Sequence, residues 1–215
     1  MPAHPRPIPT SPPARGAAGS DIRCWVPIRS LHDGHRLRVR AHLLALDDDD
    51  RVRRFGHRAS DELIARYVDQ LDFRRDYLFG TFDRRLEVLT LGHLALDTAG
   101  SSAEFAVSIL PRARGRGLGT QLFAHAVTHA RNRGVQTLLL HLARDNTPMM
   151  TIVQHAGALI DFNGADATAE LALQGHTLGT QIEELLASHA ADVDFRFKRH
   201  ALRLDALKPT EGSAS

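Results

Sequence analysis

Apolar positions in the first third of the chain predict one strand followed by two helices. Ile22–Ile28 is apolar enough for a strand, and Leu31–Leu46 has its leucines at mixed helical spacing. Ser60, followed by two acidic residues, is typical of an N-cap, and the helix that it opens has apolar residues at 63, 64, 67, 68 and 71. The acidic run Asp47–Asp50 between the two helices is interpreted as a solvated helix end or turn.

Three strand-like segments come next along the chain. They are Tyr77–Phe82, Leu86–Leu96 and Glu104–Leu110, and Asp97–Ser102 supplies the turn between the last two. Gly92 lies in the middle of the second segment, where an isolated glycine indicates a β-bulge. The first segment is aromatic and apolar, and apolar positions alternate partly in the second, so each favours a strand.

In the second half of the chain, helices alternate with strands. Gly117–Arg133 is a long helical segment that Gly134 ends, and Val135–Leu142 is a short apolar strand. A further helix begins at Thr147–Pro148, with the threonine as cap and the proline at the first helical position. The closing elements are two strands, Ala158–Phe162 and Ala169–Leu173, and a helix from Gln181 to about Leu207. This order predicts a mixed α/β fold with one strand–helix–strand crossover in its middle.

The segment Leu110–Thr120 carries the clearest chemical signal. Its sequence, LPRARGRGLGT, joins a strand to a helix and alternates glycines with arginine and leucine. Glycines let backbone N–H groups face a ligand, and the free N–H groups at a helix start favour an anion. The segment therefore predicts a phosphate or pyrophosphate site, and the alternative is a glycine-rich turn of structural origin. It lacks the lysine of a Walker A loop and does not fit the Rossmann spacing.

Arg114–Gly119 fits the pattern Arg/Gln-x-x-Gly-x-Gly/Ala, and the chain therefore resembles the GCN5-related N-acetyltransferase (GNAT) family. Asp145–Ala158 resembles a second family segment, in which Asn146 and Gly157 match. It departs from that pattern at Met149, Val153 and Ala158, where alanine, tyrosine and phenylalanine are usual. The stretch AEFAVSILPRARGRGLGT is also similar to the GNAT domain of bacterial protein-lysine acetyltransferases. The resemblance implies an α/β fold whose central, mostly antiparallel sheet contains a splayed parallel pair of strands and is flanked by helices.

The resemblance also implies a binding site for acetyl-CoA between the two splayed strands. The backbone of Val107–Ile109 would pair with the pantetheine arm, and the glycine loop would hold the pyrophosphate. Arg112 and Arg116 would contact the 3′-phosphate of CoA or simply be solvated. The full set of candidate cofactor-binding residues is Val107, Ser108, Ile109, Arg112, Arg114, Gly115, Arg116, Gly117, Leu118, Gly119, Thr120 and Asn146.

Two residues are candidates for the general base that removes a proton from an amine acceptor. Strand alternation puts Glu104 on one face with Ala106 and Ser108, which would leave space for a substrate, and related acetyltransferases often place a glutamate base on this strand. His93 lies in the neighbouring strand, and histidine has an ordinary pKa near 6.5 that suits base chemistry. Val153 cannot protonate a leaving thiolate, so either the thiolate leaves unaided or the domain binds acetyl-CoA without catalysis.

Composition limits the other possibilities for the 215-residue chain. The net charge is only +2, from 27 basic and 25 acidic residues, so no nucleic-acid partner is expected. No apolar run is long enough for a membrane span. The single cysteine, Cys24, favours a reducing cytoplasm. His125 and His129 lack the glutamate of a zinc motif, so no metal site is expected.

The domain organisation follows from these boundaries. Residues 1–20 are a proline-rich tail expected to be disordered, and residues 21–175 form the GNAT domain. A helical extension then covers residues 176–208, and residues 209–215 form a second disordered tail. The expected partners are acetyl-CoA and an amine acceptor, and both a protein substrate and a homodimer remain open.

Overall fold

The computed structural model describes residues 26–173 together with Phe195 and Lys198. The predicted tails and most of the predicted helix from Gln181 to Leu207 lie outside the described residues. The helices are α1 (Arg36–Leu44), α2 (Asp48–Phe55), α3 (Asp61–Gln70), α4 (Leu118–Asn132) and α5 (Thr147–His155). The strands are β1 (Arg29–Leu31), β2 (Asp76–Phe82), β3 (Val88–Leu96), β4 (Ser102–Ile109), β5 (Thr137–Ala143), β6 (Leu159–Asn163) and β7 (Asp166–Ala172).

The predicted element order is confirmed from α3 to β7, and two differences lie before it. Val26–Ile28 is not a strand; the first strand is β1, immediately after it. The second difference is α2, a helix that the sequence interpretation missed. The side chain of Asp47 caps it by accepting from the amide of Asp50, and three acids occupy its first turn. Acids at a helix start interact favourably with the helix dipole, so the acidic run begins a helix.

The seven strands form one sheet with the order β1-β2-β3-β4-β5-β7-β6. Every neighbouring pair is antiparallel except β4 and β5, which are parallel. That parallel pairing covers only Ser102–Glu104 against Thr137–Leu139, and beyond it the two strands separate. The predicted fold class, a mostly antiparallel sheet with a splayed parallel pair, is therefore confirmed.

Helices cover both faces of the sheet. On one face, α4 and α5 pack on a cluster that includes Phe79, Leu94, Phe105, Leu122, Leu138 and Val153. On the other, α1 and α3 pack on a cluster that includes Val39, Leu43, Ile64, Val68, Leu78 and Leu91. Phe195 also belongs to this second cluster, and Lys198 donates to the carbonyl of Phe82 over 2.9 Å.

Gly92 does not form the bulge that its position suggested. It pairs regularly with Phe79 and Val107, and the irregularity of this sheet lies between Thr81 and Phe82. A Cβ added at Gly92 would lie 3.0 Å from Cε2 of Phe105 and 3.1 Å from Cδ2 of Leu122. The glycine is therefore explained by close packing of α4 on the sheet.

Candidate functional site

A cavity of about 640 Å³ opens where β4 and β5 separate. Its wall includes the last three residues of β4, the glycine loop, the first turn of α4 and the start of α5. Residues of α2 close one side. The lining residues used below are Asp50, Arg53, Val107, Ser108, Ile109, Arg114, Gly115, Gly117, Leu118, Gly119, Thr120, Asp145, Asn146, Met149 and Ile152.

The glycine loop turns the chain sharply between β4 and α4. A 3-10 turn over Pro111–Ala113 leads into Gly115 and Gly117, whose φ angles are +73° and +71°. Left-handed backbone of this kind favours glycine because a Cβ would clash with the backbone. Gly117 is the N-cap residue of α4. Within residues 26–173, no backbone acceptor is recorded for the amides from Gly115 to Thr120, so this stretch offers several N–H donors to an anion.

Gly119 has a different structural role. Its backbone is in the helical region, and a Cβ there would lie 3.3 Å from Cδ1 of Ile109 and 3.5 Å from Cδ1 of Ile152. The absence of a side chain lets the start of α4 approach both β4 and α5. Three glycines of one motif thus serve two purposes, since two permit the turn and the third permits close packing.

Arg114 is held by an ion pair with Asp50 of α2, and its Nε donates to the carbonyl of Ile109. Asp50 is only 8% exposed, and Arg53 lies 3.6 Å from its other carboxylate oxygen. Arg53 also lies 3.6 Å from a carboxylate oxygen of Asp145 on the β5–α5 loop. The expectation that Asp47–Asp50 is solvated is therefore wrong for Asp50, because that carboxylate faces the arginine of the loop.

The structure brings nearly all of the predicted cofactor-binding residues into the wall of this one cavity. The exceptions are Arg112 and Arg116, which do not line it. Arg112 is exposed and donates to the carboxylate of Glu87 over 2.6 Å. Arg116 is exposed at the tip of the loop.

The start of α5 differs from its prediction by one residue. Asn146, not Thr147, is the N-cap, and its Oδ1 accepts from the amide of Met149 over 3.3 Å. Pro148 consequently occupies the second helical position. Val153, which stands where the resembled family usually has tyrosine, is fully buried in the core under α5. No proton donor therefore faces the cavity from that position.

Ser108 is buried on the α1 side of the sheet, although strand alternation suggested an open position. Its hydroxyl lies 2.8 Å from Nε2 of His42, and Nδ1 of His42 lies 2.9 Å from the carbonyl oxygen of Val88. A carbonyl oxygen only accepts, so Nδ1 carries the proton and Nε2 accepts from the Ser108 hydroxyl. Burial lowers the pKa of His42 to about 4, despite the opposing effect of the Val88 hydrogen bond. His42 is therefore neutral near pH 7.

Glu104 lies at the closed end of the splayed pair. It pairs with Ala95 of β3 on one side and with Leu139 of β5 on the other. Its side chain is exposed, and it is not part of the cavity wall. Ala106, two residues further on the same face, is the first position on that face beyond the parallel pairing.

His93 is part of a chain of polar side chains on the same face. Its Nδ1 lies 2.7 Å from the hydroxyl of Tyr67, and its Nε2 lies 3.4 Å from a carboxylate oxygen of Asp76. Arg54 donates to the same Tyr67 hydroxyl over 2.7 Å. Partial burial raises the pKa of Asp76, but hydrogen bonds from His93 and from the Asp72 amide outweigh this and lower it overall.

Sequence reasoning missed Asp50, Tyr67 and His42. Each had been assigned to a helix or turn for other reasons, and each acts through a partner far along the chain. Tyr67 was counted as one apolar position of the α3 stripe, and nothing nearby marks its hydroxyl. Asp50 had a local signal in the acidic run, but that signal indicates a helix start and carries no information about Arg114.

No group of three or more histidine, cysteine, aspartate or glutamate side chains is arranged to hold a metal ion in residues 26–173. Among the helices of the same region, none combines the length and apolarity that crossing a bilayer requires.

Part of the chain is similar to a known protein family. Residues 90–157, from β3 to α5, match the model of the acetyltransferase (GNAT) family. No curated protein sequence matches the chain significantly. The fold is similar to the GNAT domain of S. lividans PAT, at 19% identity and a TM-score of 0.57, over 68% of this chain and 89% of that one. It is also similar to spermidine N-acetyltransferase from Vibrio cholerae in complex with CoA and spermine, at 17% identity and a TM-score of 0.53, over 66% of this chain and 91% of that one.

Proposed function

Because this chain carries an acetyltransferase domain of the GNAT family, we propose that it transfers an acetyl group directly from acetyl-CoA to a primary amine. Acetyl-CoA is the cosubstrate of this family. The observation that carries the proposal is the cavity between β4 and β5, whose wall combines an open strand edge with the glycine loop. The three parts of an acetyl-CoA site, for pantetheine, pyrophosphate and thioester, have counterparts around this one cavity.

The backbone of the cavity wall would make most of the cofactor contacts. Val107–Ile109 would pair with the amides of the pantetheine arm, as an added strand pairs with a sheet edge. The amides from Gly115 to Thr120, at the start of α4, would donate to the pyrophosphate. A backbone N–H near Val107 would stabilise negative charge on the thioester oxygen as the amine attacks.

A base must remove a proton from the acceptor, because an alkyl amine with an ordinary pKa near 10.4 arrives protonated. Glu104 and His93 are the two candidates, and both lie on the α1–α3 face of the sheet. The thiolate of CoA needs no acid to leave, since a thiol has an ordinary pKa near 8.5. Val153 at the usual tyrosine position is therefore compatible with turnover.

Binding is tested by calorimetric titration of acetyl-CoA into the wild type and Gly117→Glu. A glutamate at Gly117 would put a negative charge at the pyrophosphate position, and binding should be lost. Gly134→Glu is the matched control, because Gly134 also has a positive φ, of +77°, and also has open space around it, at the other end of α4. Equal loss of binding in both variants would indicate backbone strain and contradict the proposed loop contact.

The acceptor is proposed only as a class, a primary amine on a small molecule or on a protein lysine. The similar structures named above include a spermidine N-acetyltransferase and the GNAT domain of PAT. Spermidine and a lysine-containing peptide are therefore the first probes, with release of the CoA thiol as the readout.

We also propose a cytoplasmic location, which the single cysteine favours. Assembly as a homodimer is tested by measuring the mass of the protein in solution.

A second candidate function is a non-catalytic sensor that binds acetyl-CoA. The buried Val153 favours it, because the site lacks the tyrosine that relatives can use as an acid. Glu104→Gln and His93→Gln separate the two functions. For an enzyme, at least one of them should lower turnover while the affinity for acetyl-CoA is unchanged. A wild type that binds acetyl-CoA and acetylates none of the amine probes would instead support the sensor.

A further inference from the structure

A chain of four polar side chains crosses the space between α2, α3 and the sheet. Arg54 of α2 donates to the hydroxyl of Tyr67 on α3 over 2.7 Å. That hydroxyl lies 2.7 Å from Nδ1 of His93 on β3, whose Nε2 lies 3.4 Å from Asp76 of β2. Four separate elements therefore contribute to one series of polar contacts, two of which are hydrogen bonds.

The direction of each hydrogen bond follows from which atoms have protons. A guanidinium has only donors, so the Tyr67 oxygen accepts from Arg54 and its own proton is free to be donated to His93. The Asp76 carboxylate beside Nε2 favours the His93 tautomer with its proton on Nε2, and in that tautomer Nδ1 accepts from the Tyr67 hydroxyl. The lowered pKa of Asp76 means that it faces His93 as a carboxylate at neutral pH. Nδ1 of His93 is thus engaged by Tyr67, whereas Nε2 is buried beside Asp76 without a hydrogen-bond partner among the described residues.

The position of the series places it beside the open part of the sheet. His93 is the cross-strand partner of Ala106, and this pair lies next to the end of the β4–β5 pairing. Cross-strand partners have their Cβ atoms about 5 Å apart on the same face. Arg54 follows Arg53, which lines the cavity, and the ring of Tyr67 packs against Phe55 of the same helix. Tyr67 is half-buried.

We propose that the Tyr67 phenol is the group that accepts the acceptor's proton, and that His93 and Asp76 position and support it. This inference rests on the proposed function and specifies its acid–base step. As the amine proton moves to the Tyr67 oxygen, the Tyr67 proton moves to Nδ1 of His93. The lone pair freed by this transfer forms the new C–N bond, and the C–S bond to CoA breaks with its electrons on sulfur. The second proton of the nitrogen goes to the CoA thiolate, which leaves as the thiol. The imidazolium pairs with Asp76 until it releases the first proton to water.

The relay explains how a histidine whose ring nitrogens an amine does not contact can still take part in catalysis. Nδ1 of His93 is taken by Tyr67 and Nε2 is buried beside Asp76, so neither contacts an amine directly. The Tyr67 oxygen keeps one lone pair after it accepts from Arg54. Arg54 contributes by donating to that oxygen, because a cationic donor stabilises the negative charge that develops on a phenol as its proton moves away. In this arrangement Tyr67 is the catalytic residue, and His93 and Asp76 are positioning residues.

Tyr67→Phe is the test, and Tyr77→Phe is its matched control. The chain has two tyrosines, and Tyr77 lies on the other face of the sheet, where its ring contacts His129 and Arg133. Loss of a general acid–base group lowers kcat by about 100-fold or more. We expect that loss in Tyr67→Phe on the wild type's best amine probe, with an unchanged calorimetric affinity for acetyl-CoA and little change in Tyr77→Phe.

The remaining outcomes separate the inference from the proposed function. An active wild type whose kcat survives Tyr67→Phe would overturn the relay and leave acetyl transfer intact. A wild type that binds acetyl-CoA but acetylates no probe would overturn acetyl transfer, and the relay with it.

The proton positions have an independent readout in the ¹⁵N NMR shifts of His93. We expect the Nε2–H tautomer in the wild type and a shifted Nδ1 resonance in Tyr67→Phe, whereas a protonated Nδ1 in the neutral ring would contradict the relay.

Discussion

The two faces of the sheet contribute different kinds of groups to the region around the cavity. The face under α4 and α5 contributes backbone amides of the glycine loop and apolar side chains such as Ile152. The face under α1–α3 contributes hydrogen-bonded polar side chains, including His42 and His93. Ligand contacts made by backbone amides, as in the glycine loop, need only one short segment with the correct backbone geometry. Acid–base groups have to be assembled from side chains that are distant in sequence.

The largest expected effect concerns the apolar face. Phe105 is almost completely buried between the sheet and α4, so Phe105→Ala should lower the free energy of unfolding by about 3–5 kcal/mol. Chemical denaturation of the wild type and of Phe105→Ala at pH 7 and pH 5 measures this loss of unfolding free energy. The loss should be the same at both pH values because no titratable group is removed. If the loss of unfolding free energy in Phe105→Ala depended strongly on pH, packing on the apolar face would be coupled to titratable groups, contrary to this comparison.

A smaller effect should distinguish the polar face by its pH dependence. Burial lowers the pKa of His42 to about 4, and burial together with His32 and Arg29 lowers that of His35 to about 4. The unfolded chain then binds more protons than the folded one below pH 6.5, so stability is lost as the pH falls from 6.5 toward 4. His42 alone should account for on the order of 2 kcal/mol between pH 7 and pH 5.

The control for this pH effect is His42→Gln, compared with the wild type at both pH values. The variant should be less stable than the wild type at pH 7, because the contacts to Ser108 and Val88 are disturbed. Its loss of stability on acidification should nevertheless be smaller, with His35 accounting for part of what remains. An unchanged acid-induced loss would contradict the assignment to His42.

The smallest effect concerns the ion pair between Arg114 of the glycine loop and Asp50 of α2. Asp50 and Asp145 place two negative charges beside Arg53 and Arg114 in a cavity that would hold a pyrophosphate. Asp50→Asn removes one of them and should tighten acetyl-CoA binding by roughly three- to tenfold, with a larger gain at low salt. Asp145→Asn should have a smaller effect because Asp145 is mostly exposed. Weaker binding in Asp50→Asn would instead mean that Asp50 orients Arg114 for the phosphate.

The same comparison explains what the sequence could predict. The glycine loop could be recognised because Arg114 to Gly119 is one continuous segment whose function depends on backbone geometry. Tyr67 and His93 are 26 positions apart, and Arg114 and Asp50 are 64 apart, so no local pattern connects them. The missed helix α2 is a different case, since Asp47 and the acids after it are a recognisable helix start. Asn146 was likewise a better cap than Thr147, and the choice between adjacent capping residues depends on backbone geometry.

The short parallel pairing of β4 and β5 has a consequence for hydrogen exchange. Beyond Glu104 and Leu139, the backbone groups with which each strand would face the other have no strand partner among the described residues. The sheet therefore contains an internal edge where β4 and β5 separate. If acetyl-CoA occupies that edge, amide protons of β4 near Val107 should exchange more slowly in its presence, while those at Ser102–Glu104 should change little. The bound cosubstrate would then act as a structural element that completes the sheet.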